Sequence, residues 1–202
     1  MRYDFEDKEK PPLGKRIAKE VLILLIEIII TIGLAYGVIH FMVEKTEIIG
    51  ASMEPTLAAG DKIVINKMSY YFHDPKQFDV VVFKESGREH GYYNVKRVIG
   101  LPGDTVQIKD GSVYINGEKL SEEIVVDPIN NGGLAEDEIT LEENEYFVLG
   151  DNRNNSEDSR FANIGNIVKD EIVGKAWIRL NHFNFISKLN LISNADTEES
   201  GQ

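Results

Sequence analysis

The sequence predicts a mainly β domain with a small inserted β subdomain, preceded by one N-terminal transmembrane helix. Three observations predict it. Residues 21–43 form the one long apolar run. Beyond it the pattern changes to short stretches rich in β-branched and aromatic residues. Turn signals then separate those stretches at short, regular intervals.

The apolar run carries a single charge, Glu27, and has almost no polar stripe, unlike a buried core helix. At 1.5 Å per residue it makes roughly 34 Å of helix, enough for a hydrocarbon core of about 30 Å. Arg2, Lys8, Lys10, Lys15, Arg16 and Lys19 precede it, whereas only Lys45 and Lys62 follow within twenty residues. The positive-inside rule places residues 1–20 in the cytoplasm and residues 44–190 outside the plasma membrane, as a single-pass protein. A cleaved signal peptide shares the basic-then-apolar pattern. However, the run exceeds the usual length, and Phe41-Met42-Val43 offers no small-residue cleavage site. The segment therefore reads as a retained anchor. Glu27 and His40 lie within or near its ends, and neither is given a role.

Strands are expected at 62–66, 78–83, 93–99, 105–108, 113–116, 146–149 and 172–180. Ala59-Gly60-Asp61, Pro102-Gly103-Asp104, Asp110-Gly111 and Asn116-Gly117 supply the turns. Residues from about 104 to 145 have their own hairpin signals and an acidic, glycine-containing loop, and read as a subdomain inserted into the main one. Residues 191–202 are polar and read as a disordered tail. Tyr70, Tyr71 and Phe72 suit either an interfacial contact or the core.

Composition narrows the function. A content of 42% hydrophobic and 28% charged residues is that of a folded chain. The net charge of −12 argues against a nucleic-acid partner, because phosphate backbones would be repelled. With no cysteine, disulfides, thiolate metal sites and cysteine nucleophiles are excluded together. His40, His73, His90 and His182 are scattered without metal-ligand spacing, and no Gly-x-Ser-x-Gly elbow occurs.

Three segments can carry chemistry. In Gly50-Ala51-Ser52-Met53-Glu54-Pro55-Thr56-Leu57, small residues leave the Ser52 hydroxyl approachable, Gly50 admits a neighbouring backbone, and Pro55 stiffens the turn. In residues 93–104, a strand over 95–99 puts Lys96 on the face of Val98 and Arg97 on the other. Burial there would disfavour the lysine's charge. A lysine near its reference pKa of about 10.4 is useless as a base, whereas a neutral one can take a hydroxyl proton. Residues 149–161 follow an expected strand and are dense in hydrogen-bonding groups of both signs, as a network bracing a site would be. Each segment alone has a plain structural reading as a juxtamembrane turn, an edge strand or a solvated loop.

Together the three resemble the type I signal peptidases of bacteria, in the short single-anchor form. The likeness rests on SMEPTL, GDKIVINK, KRVIGLPGD and GDNRNNSEDSR, in family order behind the anchor and spanning residues 15–180. The resemblance implies a membrane-bound serine endopeptidase that removes signal peptides after small residues, often Ala-x-Ala, through a Ser/Lys dyad and an acyl-enzyme. It casts Ser52 as nucleophile and Lys96 as general base. Ser156 would hydrogen-bond and orient the lysine, Asp158 and Arg160 would form a bracing charged pair, and Asp151 and Arg153 would support the loop. Gly50, Ala51 and Met53 would border the oxyanion and the small-residue pocket. Some family members have a serine where this chain has Gly50, so the oxyanion would rely on backbone N–H groups, chiefly that of Ser52. The resemblance also implies signal-peptide-bearing preproteins and membrane lipid as partners, proximity to the export translocon, and no metal or organic cofactor. Two other readings stay open. One is a self-cleaving repressor-type Ser/Lys peptidase, opposed by the anchor and the acidic charge; the other is a non-catalytic anchored β binding domain.

Overall fold

The computed structural model describes residues 13–84, 93–122, 124, 126–181 and 183–186. The first twelve residues, His90, His182 and the tail after Leu191 lie outside the described residues. The chain divides into two units, residues 1–41 and 42–202.

The first unit is built on α1 (Leu13–Met42), whose 30 residues are long and apolar enough to cross a membrane. The helix starts ahead of the apolar run, because Leu13, Lys15, Arg16, Ala18, Lys19 and Glu20 are good helix formers in any solvent. It ends at Met42; Val43, the last residue of the run, already belongs to a strand.

In the second unit the strands are, in chain order, β1 (Val43–Glu47), β2 (Lys62–Asn66), β3 (Val80–Phe83), β4 (Asn94–Gly100), β5 (Thr105–Lys109) and β6 (Ser112–Ile115). They continue with β7 (Glu118–Lys119), β8 (Ile139–Thr140), β9 (Glu145–Leu149), β10 (Ile167–Val168), β11 (Ile172–Arg179) and β12 (Asn184–Phe185). The larger sheet has the antiparallel order β1-β2-β11-β3-β4-β9-β10, with β12 paired to β11. A second sheet runs β7-β6-β5-β8. The fold is thus mainly β.

All seven expected strands exist, with edges moved by one or two residues. Phe78 and Asp79 fall outside β3: Phe78 has φ +70°, and Asp79 N–H donates to the Lys76 carbonyl at 3.0 Å, closing a turn. The strand β1 escapes the sequence pattern because four of its five residues, Glu-Lys-Thr-Glu, are polar, which is ordinary for the edge of a sheet. Asp110-Gly111 and Asn116-Gly117 turn the β5–β6 and β6–β7 hairpins with φ of +51°, +72°, +52° and +81°. Two positive φ values are what a two-residue type I′ hairpin turn requires.

Three apolar clusters hold the second unit together. The first, including Met53, Leu57, Ile63, Ile65, Val82 and Val95, lies beneath the turn after β1. The second joins the two sheets, packing Ile99, Phe147 and Leu149 against Val106, Ile108, Val113 and Leu141. The third places Val81, Phe83, Val98 and Val148 with Tyr146 and Ile167. Residues 95–100 of β4 are all buried, so both faces of that strand are covered. Any side chain on it is removed from water whichever way it points.

Candidate active site

The turn that carries Ser52 is fixed from both ends. Ile48 N–H donates to the Asp61 carbonyl at 2.8 Å, and Gly60 N–H returns a bond to Ile48 at 2.9 Å. Met53 and Leu57 are buried in the first cluster, and Leu57 N–H donates to the Met53 carbonyl at 2.8 Å. Gly50 bends the chain into this turn with φ +90°, where a residue with a Cβ would be strained, and no non-neighbouring atom of the described residues lies within 4 Å of where its Cβ would stand. The Glu54–Pro55 peptide bond is cis. These constraints leave Ser52 half-buried, with its Oγ toward β4.

Lys96 meets it there. Its side chain is only 4% exposed, and its Nζ donates to Ser52 Oγ at 2.7 Å. Burial pushes the lysine's pKa below the ordinary value; the Asp158 and Glu157 carboxylates pull the other way, Arg160 adds to the lowering, and Asp151 opposes it. Burial wins because the nearby carboxylates are already committed. Asp158 takes Arg160 at 2.7 and 2.9 Å and also accepts Gly150 N–H at 3.0 Å. Asp151 accepts Arg97 through Nε at 2.8 Å and Nη2 at 2.6 Å, and is hydrogen-bonded by the Thr56 hydroxyl. Both are planar, two-point pairs in which each charge answers one opposite charge.

The loop after β9 closes over the serine turn. Asn152 donates through its backbone N–H to the Ser52 carbonyl and through Nδ2 to the Ala51 carbonyl, both at 3.1 Å. Gly150 is squeezed between the two serines: a Cβ there would lie 2.2 Å from Ser156 Oγ and 2.5 Å from the Ser52 carbonyl oxygen. Ser156 Oγ is buried without a hydrogen-bond partner among the described residues. The bond from Ser156 to the lysine that the resemblance implies is therefore not formed, the hydroxyl lying against Gly150 instead. Arg153, fully buried, pairs with Glu122, at 2.6 Å between Nη1 and Oε1.

Of the residues expected at the site, Ser52 and Lys96 touch. Asp151, Asp158 and Arg160 lie in the surrounding charge network, Ala51 is bonded by Asn152, and Met53 is buried under the turn. Sequence reasoning missed Arg97, Thr56, Gly150, Asn152 and Glu122. For Arg97 a signal existed, since a second cation beside Lys96 in an otherwise apolar strand needs a buried carboxylate. Nothing local marks Glu122.

Known proteins resemble the chain over this same ground. The family model described as signal peptidase, peptidase S26, matches residues 21–181. A probable signal peptidase I-2 of Synechocystis is 34% identical over 189 residues, covering 89% of this chain and 79% of that one. Signal peptidase I of Leptolyngbya laminosa is 38% identical, covering 82% and 84%, and that of Bacillus licheniformis is 38% identical, covering 80% and 89%. A signal peptidase I crystal structure from Enterococcus faecalis is 32% identical, covering half of this chain and 96% of that one at a TM-score of 0.39. A family match from the apolar helix through β11, with relatives above 30% identity along most of their length, leaves one assignment: the chain belongs to the signal peptidase family, peptidase S26, and is a serine endopeptidase of that family.

Proposed function

We propose that this chain removes N-terminal signal peptides from exported preproteins by Ser/Lys catalysis, with Ser52 as nucleophile and Lys96 as general base. The observation that carries this reading is the 2.7 Å contact between Lys96 Nζ and Ser52 Oγ, made by a lysine whose charge burial disfavours. In its neutral form the amine accepts the hydroxyl proton along that line while Oγ attacks the scissile carbonyl. The oxyanion is held by backbone N–H groups, chiefly that of Ser52. The ammonium then gives its proton to the leaving amine, the signal peptide's acyl group stays on Ser52, and Lys96 activates the water that releases it.

Substrate binds as an extended strand, with a small residue before the cut received beside Gly50, Ala51 and Met53. The open space where a Gly50 side chain would stand supports this, since a peptide backbone can approach there. The helix α1 serves as the anchor, with residues 1–20 cytoplasmic and the β unit outside, as the basic residues before the run favour. Asp158, Arg160, Asp151 and Arg153 hold the pair in register through their bonds, and Ser156 through its packing against Gly150. An enzyme anchored in the bilayer that holds its substrates' apolar segments, close to the export translocon, meets them at high effective concentration.

The test is cleavage of a solubilised preprotein bearing an Ala-x-Ala site, by the wild-type chain and by Ser52→Ala. A single new N-terminus after that site, absent with the variant, is expected. A folded wild-type chain that leaves the substrate intact in detergent and in lipid would overturn the reading.

A further inference from the structure

Arg153 is among the most enclosed large side chains of the described residues, and its guanidinium bonds to Glu122 and to Gly150. A guanidinium so placed needs a carboxylate, because an unpaired buried charge is strongly destabilising. Glu122 supplies it with both oxygens, Oε1 to Nη1 at 2.6 Å and Oε2 to Nη2. The remaining Nε–H of Arg153 donates to the Gly150 carbonyl at 3.2 Å. Gly150 is the residue wedged against the Ser52 carbonyl and the Ser156 side chain. A path of direct contacts therefore runs from Glu122 to Arg153, to the Gly150 backbone, and to both serines.

Glu122 comes from outside the loop it holds. It follows β7 of the second sheet, in an excursion that returns through the 3₁₀ turn Gly133–Glu136. The same excursion grips the loop elsewhere through neutral groups. Asn154 Nδ2 donates to the Pro128 carbonyl at 2.9 Å, and Asn130 N–H donates to Asn154 Oδ1 at 2.9 Å. Arg160 Nη1 donates to the Asn131 carbonyl at 3.1 Å, and Leu134 N–H to the Arg160 carbonyl at 2.9 Å. The Arg160 bonds reach the Gly150 N–H through Asp158, whereas the Glu122 pair reaches the Gly150 carbonyl through Arg153.

We infer that Glu122 is a positioning residue: through Arg153 and the Gly150 carbonyl it fixes the backbone against which Ser52 and Ser156 rest, and so sets the turnover of the Ser52/Lys96 pair. The inference rests on the catalytic reading above. It gives the second sheet a part in the reaction, that of supplying the carboxylate that keeps the loop after β9 in place.

The test compares full-length wild type, Glu122→Ala, Glu122→Gln and, as a control on the preceding strand β7, exposed Glu118→Gln. The readouts are kcat and KM on a signal-peptide substrate, thermal unfolding, and amide exchange at Gly150 and Asn152. In the folded Glu122 variants kcat should fall by at least about tenfold with KM nearly unchanged, since a displacement near 1 Å costs about a hundredfold. Exchange at Gly150 and Asn152 should quicken while the core of β4 stays protected, and Glu118→Gln should match wild type. If Glu122→Ala does not fold, the near-isosteric Glu122→Gln decides. Wild-type kcat in a folded Glu122 variant would overturn the inference. So would a loss of kcat with Gly150 and Asn152 still protected, or exchange that rises equally across the fold. Should the wild-type chain cut nothing, the catalytic reading fails, and exchange at Gly150 and Asn152 still decides whether Glu122 holds the loop.

Discussion

Lys96 holds two opposed demands in one side chain. Its place in a strand covered on both faces removes it from water, which lowers its proton affinity and disfavours its charge. In the proposed mechanism the neutral amine is the active form, so kcat/KM should rise with pH through the depressed lysine pKa, before an ordinary lysine would lose its proton. Lys96→Arg and Lys96→Ala should both be inactive while folded, because a guanidinium stays protonated and alanine has no base. Cleavage by either variant at near wild-type rate would refute the assignment. The same shift bears on stability. Between the lowered folded value and the ordinary 10.5, the unfolded chain binds more protons at this position than the folded one. Wild-type stability should therefore rise with pH across that window. In Lys96→Met this contribution disappears, and the inactive variant should be the more stable protein on the acid side of the window, as denaturant midpoints taken along a pH series would show.

At the scale of elements, the site depends on the serine turn and the loop after β9 meeting at fixed separation, and Gly150 stands where they meet. Gly150→Ala would press a methyl group into the Ser52 carbonyl and the Ser156 side chain, at 2.5 and 2.2 Å. Neither the turn nor the loop has slack, so kcat should fall by about a hundredfold or more. A Gly150→Ala variant with normal kinetics would show that the loop yields. The Arg97–Asp151 pair ties strand β4 to the same loop, with side chains 5% and 1% exposed. Arg97→Met strands the Asp151 carboxylate in the interior and should cost about 3–5 kcal/mol in chemical denaturation. The sequence revealed these elements unevenly. The strands β2, β3, β5 and β9 were legible because runs of Val, Ile, Phe and Tyr announce buried sheet, and the hairpin turns because Asp-Gly and Asn-Gly favour positive φ. Strand β1 was hidden by its polar edge composition, and β7, β8, β10 and β12 by having two residues each. Ser52 and Lys96 could be singled out because each stands in a distinctive local segment. Glu122 could not, since its partner is 31 positions away and only the fold brings them together.

At the scale of the molecule, the boundary between the units makes the proposed anchor and the proposed chemistry separable. Residues 42–202 contain all three apolar clusters and every contact of the site, and Met42 belongs with them because its carbonyl accepts Lys67 N–H at 3.0 Å. Removing residues 1–41 should therefore leave the β unit folded, with kcat and KM on a short soluble peptide close to those of the full chain. A preprotein held in a vesicle by its own apolar segment should respond differently. With the anchor present, enzyme and substrate share one surface, and the encounter is governed by an effective concentration that reaches millimolar for short tethers. Without it, the encounter reverts to the bulk concentration of enzyme. Cleavage of the vesicle-bound preprotein at nanomolar enzyme should then fall by about two orders of magnitude or more, and should recover as enzyme is added. A truncated chain that loses activity equally on both substrates would mean that α1 contributes to the catalytic geometry. One that loses activity on neither would mean that the β unit finds the membrane surface by itself.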